Sequence, residues 1–175
     1  KNNKKMLLQR VITALVLAPL VVLAIFKLPH LYFAIIWGIV MLIAAWEWTN
    51  LAEVKTVLVK CLFLVAMLIP MVLLQFWTQL LEVLAQLSDW PEIRTYSGLI
   101  ELLVVPAVVF WFYVMFTIRR AGADLLDIKM SVGKKLFIGG FVLVSAWLFL
   151  SRLMILEEPA MILFFFVLIW SADIG

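Results

Sequence analysis

The chain has 175 residues, of which 67% are hydrophobic and only 14% are charged, and its formal net charge at pH 7 is +3. An ordinary soluble domain is about 45–50% apolar and about 25% charged, and a short chain could not bury so much apolar surface in one water-soluble core. The composition therefore excludes a soluble globular domain and favours a membrane protein. One cysteine and one histidine exclude an internal disulfide and argue against a Cys/His zinc site. No basic surface interleaved with aromatic residues suggests a nucleic-acid partner.

The apolar runs are long and continuous, which in lipid indicates helices. Helices satisfy their own backbone hydrogen bonds, whereas the strands of a membrane barrel would alternate apolar and polar residues over about ten positions. We therefore predict an all-α fold, a polytopic transmembrane helical bundle that forms a single membrane-embedded domain over residues 1–175. Six spans are expected, the last cut short by the end of the sequence given, at about 11–28, 31–46, 57–76, 99–118, 136–150 and 160–173.

The chain opens with a basic leader that runs directly into the first apolar stretch. Lys1 to Arg10 contains four basic residues and no acid. A signal peptide has the same order of charge and apolar core. No small-x-small cleavage site follows, and a second apolar run begins almost at once. An uncleaved first helix is therefore favoured.

Two further patterns predict local structure. Trp77 and the leucines that follow it recur at helical spacing among polar residues. This pattern is typical of an amphipathic helix that lies on the membrane interface, between the third and fourth spans. The pair Gly139-Gly140 opens the fifth span, and two small residues there would permit close contact with another helix.

The charges are distributed unevenly between alternate connections. If the N-terminus is cytoplasmic, then the leader, the Glu47–Lys60 connection and the Arg119–Lys135 connection hold eleven of the fourteen Lys and Arg residues. The positive-inside rule favours this orientation. Glu47 and Asp173, which end the second and sixth spans, then both lie at the cytoplasmic boundary. The basic 119–135 connection is interpreted as an anionic-lipid contact, or else as a segment that steers a substrate phosphate.

Acids at the ends of apolar runs are the candidate functional residues. An ionisable residue at membrane depth costs about 2.5–3.5 kcal/mol on insertion scales, and such residues commonly bind a cation or relay a proton. Asp173 follows a long uncharged run and Glu47 closes the second span. The alternative for each is a helix-end acid that already lies in headgroup water. Glu101 is interpreted as a helix cap or an outer-interface residue. From these residues alone, a transporter fragment and a membrane-embedded enzyme fragment remain comparable.

Three stretches occur in a particular order: RVITALVLAP at 10–19, AAWEW at 44–48 and LIWSADIG at 168–175. In order and spacing they resemble the bacterial phosphatidate cytidylyltransferases, also called CDP-diacylglycerol synthases. The resemblance implies a multi-pass enzyme of the bacterial inner membrane, and the charge distribution predicts a cytoplasmic N-terminus for it. Such an enzyme joins CTP and phosphatidate, gives CDP-diacylglycerol and pyrophosphate, requires Mg²⁺ and contacts membrane lipids. A homodimer is a candidate assembly.

The resemblance assigns a role to Asp173 but only a matching position to Glu47. Asp173 is implied to be a catalytic residue and a metal ligand, and Glu47 matches a recurrent family position that we assign to substrate binding. The family's later stretches, Pro-Gly-Lys-Thr-Trp and His-Gly-Gly-x-x-Asp-Arg-x-Asp, do not occur in the sequence given. We therefore expect the chain to be the N-terminal part of a longer enzyme and to be inactive alone. The alternatives are a non-catalytic scaffold or lipid-binding module and, third, a small transporter, although transporters usually place polar groups at mid-span.

Overall fold

A computed structural model of the chain describes residues 16–121, 130–156 and 159–174. These residues are helical throughout apart from short turns, and they include no strand. The prediction of an all-α membrane protein is therefore confirmed. The α-helices are α1 (Val16–Lys27), α2 (His30–Leu51), α3 (Val57–Gln75), α4 (Trp77–Leu87), α5 (Val104–Ala121), α6 (Val132–Ile155) and α7 (Pro159–Ile174), and a 3-10 helix covers Pro91–Leu103.

Several of these helices have the length and composition of membrane spans. Four segments of the described chain are long and apolar enough to cross a bilayer: α2, α3, α6 and the continuous Pro91–Arg120 segment. The apolar helices α1 and Pro159–Ala172 are shorter. The predicted start of the first span, at residue 11, lies outside the described residues. The number of spans and their bounds stay predictions.

Prolines and a tight turn determine where some helices begin. The Phe33 amide donates to the Pro29 carbonyl at 3.1 Å, so α2 begins at His30 directly after the Leu28–Pro29 turn. The segment predicted to start a span at residue 99 is a 3-10 helix until Leu103. Pro106 then lies in the first turn of α5, where the missing N–H would have no partner within the helix.

The chain divides into two compact units, residues 1–36 with 150–175, and residues 37–149. In the first unit, the buried residues include Ile25 of α1, Phe33 and Ala34 of α2, and Ile162 of α7. Apolar side chains from these three helices therefore form its core.

The core of the second unit lies where α2, α3 and α6 meet at Gly38. A Cβ atom on Gly38 would be 3.4 Å from the Met71 Cε atom and 3.4 Å from the Trp147 Nε1 atom. Met71 and Trp147 are both buried. Because a larger residue at position 38 would displace these side chains, glycine allows the three helices to approach closely.

The predicted amphipathic helix is present as α4, and it forms a hairpin with the 3-10 helix. Leu81 and Ala85 are buried, whereas Glu82 lies on the outside and makes two hydrogen bonds with Arg94, at 2.6 and 2.7 Å. The α4 helix ends at Leu87 and the 3-10 helix begins at Pro91, as the turn residues between them favour. Its location on the membrane interface stays a prediction.

Candidate functional site at the end of the second helix

The α2 helix ends in a turn that is held by two backbone hydrogen bonds. The Glu53 amide donates to the Asn50 carbonyl at 3.0 Å, and the Val54 amide donates to the Thr49 carbonyl at 3.0 Å. These two bonds form a Schellman motif, in which the residue after the helix is left-handed. Here that residue is Glu53, with φ of 63°. Glycine is the usual choice, so a glutamate at this position retains strain of about 1–2 kcal/mol.

Trp48 joins this helix end to α6. Its indole Nε1–H donates to the Lys135 carbonyl at 2.9 Å, across 87 residues of sequence. A Cβ atom on Gly139 would fall inside contact distance of the indole ring. Glycine at position 139 is therefore what allows the ring to lie against the α6 backbone. This contact confirms the close approach predicted from Gly139-Gly140.

Two lysines turn toward the same helix end. The Lys60 ammonium donates to the Asn50 side-chain oxygen and lies 5.3 Å from the centre of the Trp46 ring. The Lys135 ammonium is 3.6 Å from a carboxylate oxygen of Glu53. The Glu53 side chain is 78% exposed, so the pair contributes at most about 1 kcal/mol to stability. The pair matters mainly because it holds the Lys135 ammonium group beside the end of α2.

We call the group formed by Trp46, Trp48, Asn50, Glu53, Lys60 and Lys135 the boundary cluster. A cavity of about 190 Å³ lies beside this cluster. Its walls are formed by Trp48, Leu51, Ala52, Met130, Lys135 and Ile138. Most of this lining is apolar. Among the described residues that line the cavity, Lys135 is the charged one. The cluster thus combines an apolar wall with cations whose positions are set by neighbouring groups.

Glu47 lies within this region of α2. Its side chain is exposed, and no hydrogen bond or ion pair joins it to another residue in the described ranges. An unengaged carboxylate can accept hydrogen bonds from hydroxyl or amino groups, or can bind a cation. Its expected position at the cytoplasmic boundary and its proposed role both stay predictions.

Asp173 lies in the last turn of α7, and its side chain is outside the described residues. It belongs to the first unit, whereas Glu47 belongs to the second. Residues 122–129 of the basic 119–135 connection are also outside the described part of the chain. The roles assigned to Asp173 and to this connection therefore stay predictions.

The carboxylates of the described residues are too far apart to hold the implied metal ion. Among the described residues, no three His, Cys, Asp or Glu side chains come close enough together to hold a metal ion. Magnesium prefers several oxygen ligands in near-octahedral geometry. The described residues therefore do not form a complete magnesium site by themselves.

Sequence reasoning missed two features of the cluster. The Trp48–Lys135 hydrogen bond joins residues that are far apart in the sequence, so no local pattern predicts it. The pair Gly139-Gly140 predicted a close helix contact but not which helix would make it. The left-handed turn at Glu53 lacked its usual signal, a glycine just after the helix. The polar run after Trp48 did indicate that the chain leaves the apolar span there.

These features define an integral membrane protein of apolar helices, with tryptophans and fixed cations gathered where α2 ends and α3 and α6 begin. Residues 8–175 match the cytidylyltransferase family, and the chain belongs to that family. The resemblance found in the sequence is thereby confirmed.

Two relatives are phosphatidate cytidylyltransferases. The phosphatidate cytidylyltransferase of Pseudomonas aeruginosa is 30% identical over 180 residues, covering 97% of this chain and 56% of the relative. That of Haemophilus influenzae is 28% identical over 178 residues, covering 97% of this chain and 59% of the relative. The chain therefore spans a little more than half the length of these relatives. No solved structure matches it.

Proposed function

We propose that the chain supplies the membrane-embedded part of a phosphatidate cytidylyltransferase, an enzyme of phospholipid biosynthesis. Such an enzyme joins CTP and phosphatidate to give CDP-diacylglycerol and pyrophosphate. The observation that carries this proposal is the similarity to two enzymes of that name over 97% of the chain. The whole activity would also need the portion of those relatives that this chain does not cover.

The chemistry of the reaction fits a site at a membrane boundary. A phosphate oxygen of phosphatidate attacks the α-phosphorus of CTP, and the bond to the β-phosphate oxygen breaks to release pyrophosphate. One substrate is anchored in lipid and the other is dissolved in water, so they can meet only near the headgroups. The mechanism depends largely on positioning and on neutralising phosphate charge. Lys60 and Lys135 would contribute to that neutralisation, because the boundary cluster holds both ammonium groups in place.

Glu47 is proposed to bind substrate. A carboxylate repels bare phosphate, so its contacts would be with groups that donate hydrogen bonds, such as ribose hydroxyls or the cytosine amino group. Its exposure leaves it accessible to such a ligand. The role rests on the match of AAWEW to the family and on this exposure.

Asp173 is proposed as a catalytic residue and as one ligand of Mg²⁺. The ion, when bound, would neutralise charge on the triphosphate and on the leaving pyrophosphate. Because the described residues do not complete a metal site, its other ligands would have to come from elsewhere in the enzyme. We further propose a bacterial inner-membrane location with the N-terminus in the cytoplasm, supported by the uneven distribution of Lys and Arg. A homodimer is part of the same proposal.

The test is a chimaera in which this chain replaces the matching part of the Pseudomonas aeruginosa enzyme. Membranes containing the chimaera should form CDP-diacylglycerol from CTP and phosphatidate, whereas membranes containing this chain alone should not. Asp173→Asn should abolish turnover, and Glu47→Gln should raise the KM for CTP. Glu92→Gln, an exposed acid of the 3-10 helix, is the control.

Three outcomes would contradict parts of this proposal. Full turnover by the chimaera carrying Asp173→Asn would remove the proposed catalytic role. Turnover by the chain alone would show that the missing portion is not needed. A chimaera that inserts and folds but forms no product would favour the alternative of a non-catalytic scaffold or lipid-binding module.

A further inference from the structure

A groove of about 410 Å³ lies along α3 and α6 in the second unit. Apolar side chains of both helices form most of its wall, and among the described residues that line it only Ser145 has a polar side chain. Both helices are apolar and long enough to cross a bilayer. The groove would therefore present a concave apolar wall inside the membrane.

The two helices run in the same direction along this groove. Near their beginnings, a Cβ atom on Gly140 would be 3.3 Å from the Phe63 ring. Further along, Met71 and Trp147 both approach Gly38. Phe63 of α3 thus corresponds in depth to Gly140 of α6, and Met71 corresponds to Trp147, as parallel helices require.

Pro70 leaves one backbone carbonyl of this wall without its helical donor. A proline has no N–H, so the Ala66 carbonyl, four residues earlier, lacks its usual hydrogen bond within α3. By the correspondence between the two helices, Ser145 lies opposite the turn from Ala66 to Pro70. All three residues line the groove, and no hydrogen bond in the described part of the chain joins Ser145 to this carbonyl. The middle of the groove therefore has an acceptor that needs a donor.

The molecule that covers this wall needs both an apolar surface and a hydrogen-bond donor. In hydrocarbon, a carbonyl that a proline has freed is commonly paired by a neighbouring helix and its Ser or Thr side chains. A water molecule could donate to the carbonyl but would not cover the apolar wall. A phospholipid acyl chain would cover the wall but has no donor. A helix that carries a hydroxyl side chain supplies both.

A second copy of this chain does not suit the groove. In a two-fold dimer each copy presents the same patch, so one groove would face another and neither would be filled. The relatives indicate a different source, because this chain covers only 56% of one and 59% of the other. An enzyme of their length has a large further portion that could supply the helix.

We propose that the groove between α3 and α6 receives a transmembrane helix from the portion of the enzyme that this chain does not cover. A Ser or Thr side chain of that helix donates to the Ala66 carbonyl. The inference rests on the proposed function, in which the chain is one part of a longer transferase. It adds the surface on which the two parts assemble and the polar contact that aligns them.

The test uses the chimaera of this chain with the remaining portion of the Pseudomonas aeruginosa enzyme. The photoreactive residue p-benzoylphenylalanine takes the place of Phe137, which lines the groove and is exposed. Membranes are irradiated without CTP, and the cross-linked peptides are mapped by mass spectrometry. Adducts should join position 137 to one apolar segment of the added portion. The same residue in place of Phe116, which is exposed but does not line the groove, should not reach that segment.

A matched pair of tryptophan variants tests whether the helix enters the groove itself. Ala66→Trp adds a ring at an exposed lining position and should abolish the adduct from position 137. Val65→Trp adds the same ring at the neighbouring exposed position, which does not line the groove, and should leave the adduct unchanged. If Ala66→Trp prevents folding, the adducts of the chimaera without it still decide the question.

Pro70→Ala tests the hydrogen bond, because it returns a helical donor to the Ala66 carbonyl. Replacing the Ser or Thr nearest the cross-link by alanine should lower the Tm of the chimaera. The same replacement should lower the Tm much less in the Pro70→Ala background. Equal losses in the two backgrounds would overturn the assigned hydrogen bond.

The adducts also separate this inference from the proposed function, since they are read without turnover. Adducts with lipid only, or with another copy of the chain, would overturn the inference even if the chimaera forms CDP-diacylglycerol. Specific adducts in a chimaera that forms no product would support the assembly surface and contradict the transferase activity.

Discussion

Two places in the second unit use a tryptophan indole to connect helices, and the two connections differ in depth and range. Trp48 donates to the Lys135 carbonyl at 2.9 Å, in a partly buried contact between residues 87 apart. Trp77 donates to the Tyr96 carbonyl at 3.3 Å, in an exposed contact between residues 19 apart. The first contact depends on a steric fit against Gly139, and the second accompanies an exposed ion pair between Glu82 and Arg94.

The difference shows which interactions are needed at each place. A long-range contact must offset the entropy of bringing distant segments together, so it needs close fit and burial. A hairpin of neighbouring segments costs less to close, and weaker surface interactions suffice. Mutations at the boundary cluster should therefore have larger effects on stability than the matching mutations in the α4 hairpin.

The largest effect is expected for Gly139→Ala. The added methyl group would overlap the Trp48 indole, and displacing a well-fitted ring costs about 1–3 kcal/mol in the free energy of unfolding. Gly133→Ala is the control on the same helix, because a Cβ atom there meets nothing within 4 Å. Unfolding of both variants would be followed by circular dichroism in mixed micelles. Equal stability of the two variants would show that the Trp48 indole does not require a glycine at position 139.

A smaller loss in the free energy of unfolding is expected for Trp48→Phe. The phenyl ring keeps most of the apolar contact but cannot donate to the Lys135 carbonyl, and the loss of one hydrogen bond costs about 0.5–1.5 kcal/mol. Trp77→Phe removes the same donor from the exposed hairpin, where water can replace it. The same unfolding measurement should show a clear decrease for Trp48→Phe and little change for Trp77→Phe. The reverse order would contradict the comparison between the two regions.

The parts of this fold that follow from local pattern were predictable from the sequence. Continuous apolar runs predicted the helices, and leucines at helical spacing among polar residues predicted α4, because both signals lie within one element. The change from 3-10 to α-helix at Val104 was missed, since apolar residues on both sides of that point suit either helix. The Trp48–Lys135 contact was missed because only the tertiary arrangement brings these residues together.

The candidate site was predictable to a lesser degree. The position of Glu47 at the end of an apolar span followed from the polar residues after it, and the structure places this acid in α2 with an exposed side chain. The role proposed for Asp173 came from family resemblance, whereas the resemblance supplied only a matching position for Glu47. Physical reasoning alone could not choose between a helix-end acid and a metal ligand, because a metal site requires groups from several segments.

A gain in stability is expected for Glu53→Gly. Glycine adopts the left-handed conformation without the steric cost of about 1–2 kcal/mol. It also gives the unfolded chain more conformational entropy, which lowers stability by about 0.5–1 kcal/mol. The net gain in the free energy of unfolding is therefore about 0.5 kcal/mol. The matching residue in the hairpin turn is Asp89, with φ of 53°. Aspartate tolerates this conformation better than glutamate, so Asp89→Gly should change stability less. The two free energies of unfolding can be compared directly. A loss at Glu53→Gly would indicate that the Glu53–Lys135 pair outweighs the backbone strain.

The smallest effect is expected for Arg94→Gln. Hydrogen bonds from the Arg94 guanidinium hold the pKa of the Glu82 carboxyl below its ordinary value of 4.5. A lowered pKa in the folded state means that the pair stabilises the protein above pH 4.5 and that this contribution is lost as the pH falls through the folded pKa. Because both side chains are 48% exposed, the contribution should be small and weakened by salt.

Arg94→Gln should therefore raise the Glu82 pKa toward the ordinary range, as measured by a carbon-13 titration of the labelled carboxyl. Its stability should differ from that of the unmodified chain more at pH 7 than at pH 3. Lys55→Gln, which removes an exposed cation from the α2–α3 connection, should leave the Glu82 titration unchanged. A difference in stability that is as large at pH 3 as at pH 7 would mean that Arg94 acts through contacts of its aliphatic stem. The hairpin would then resemble the boundary cluster in depending on fit rather than on charge.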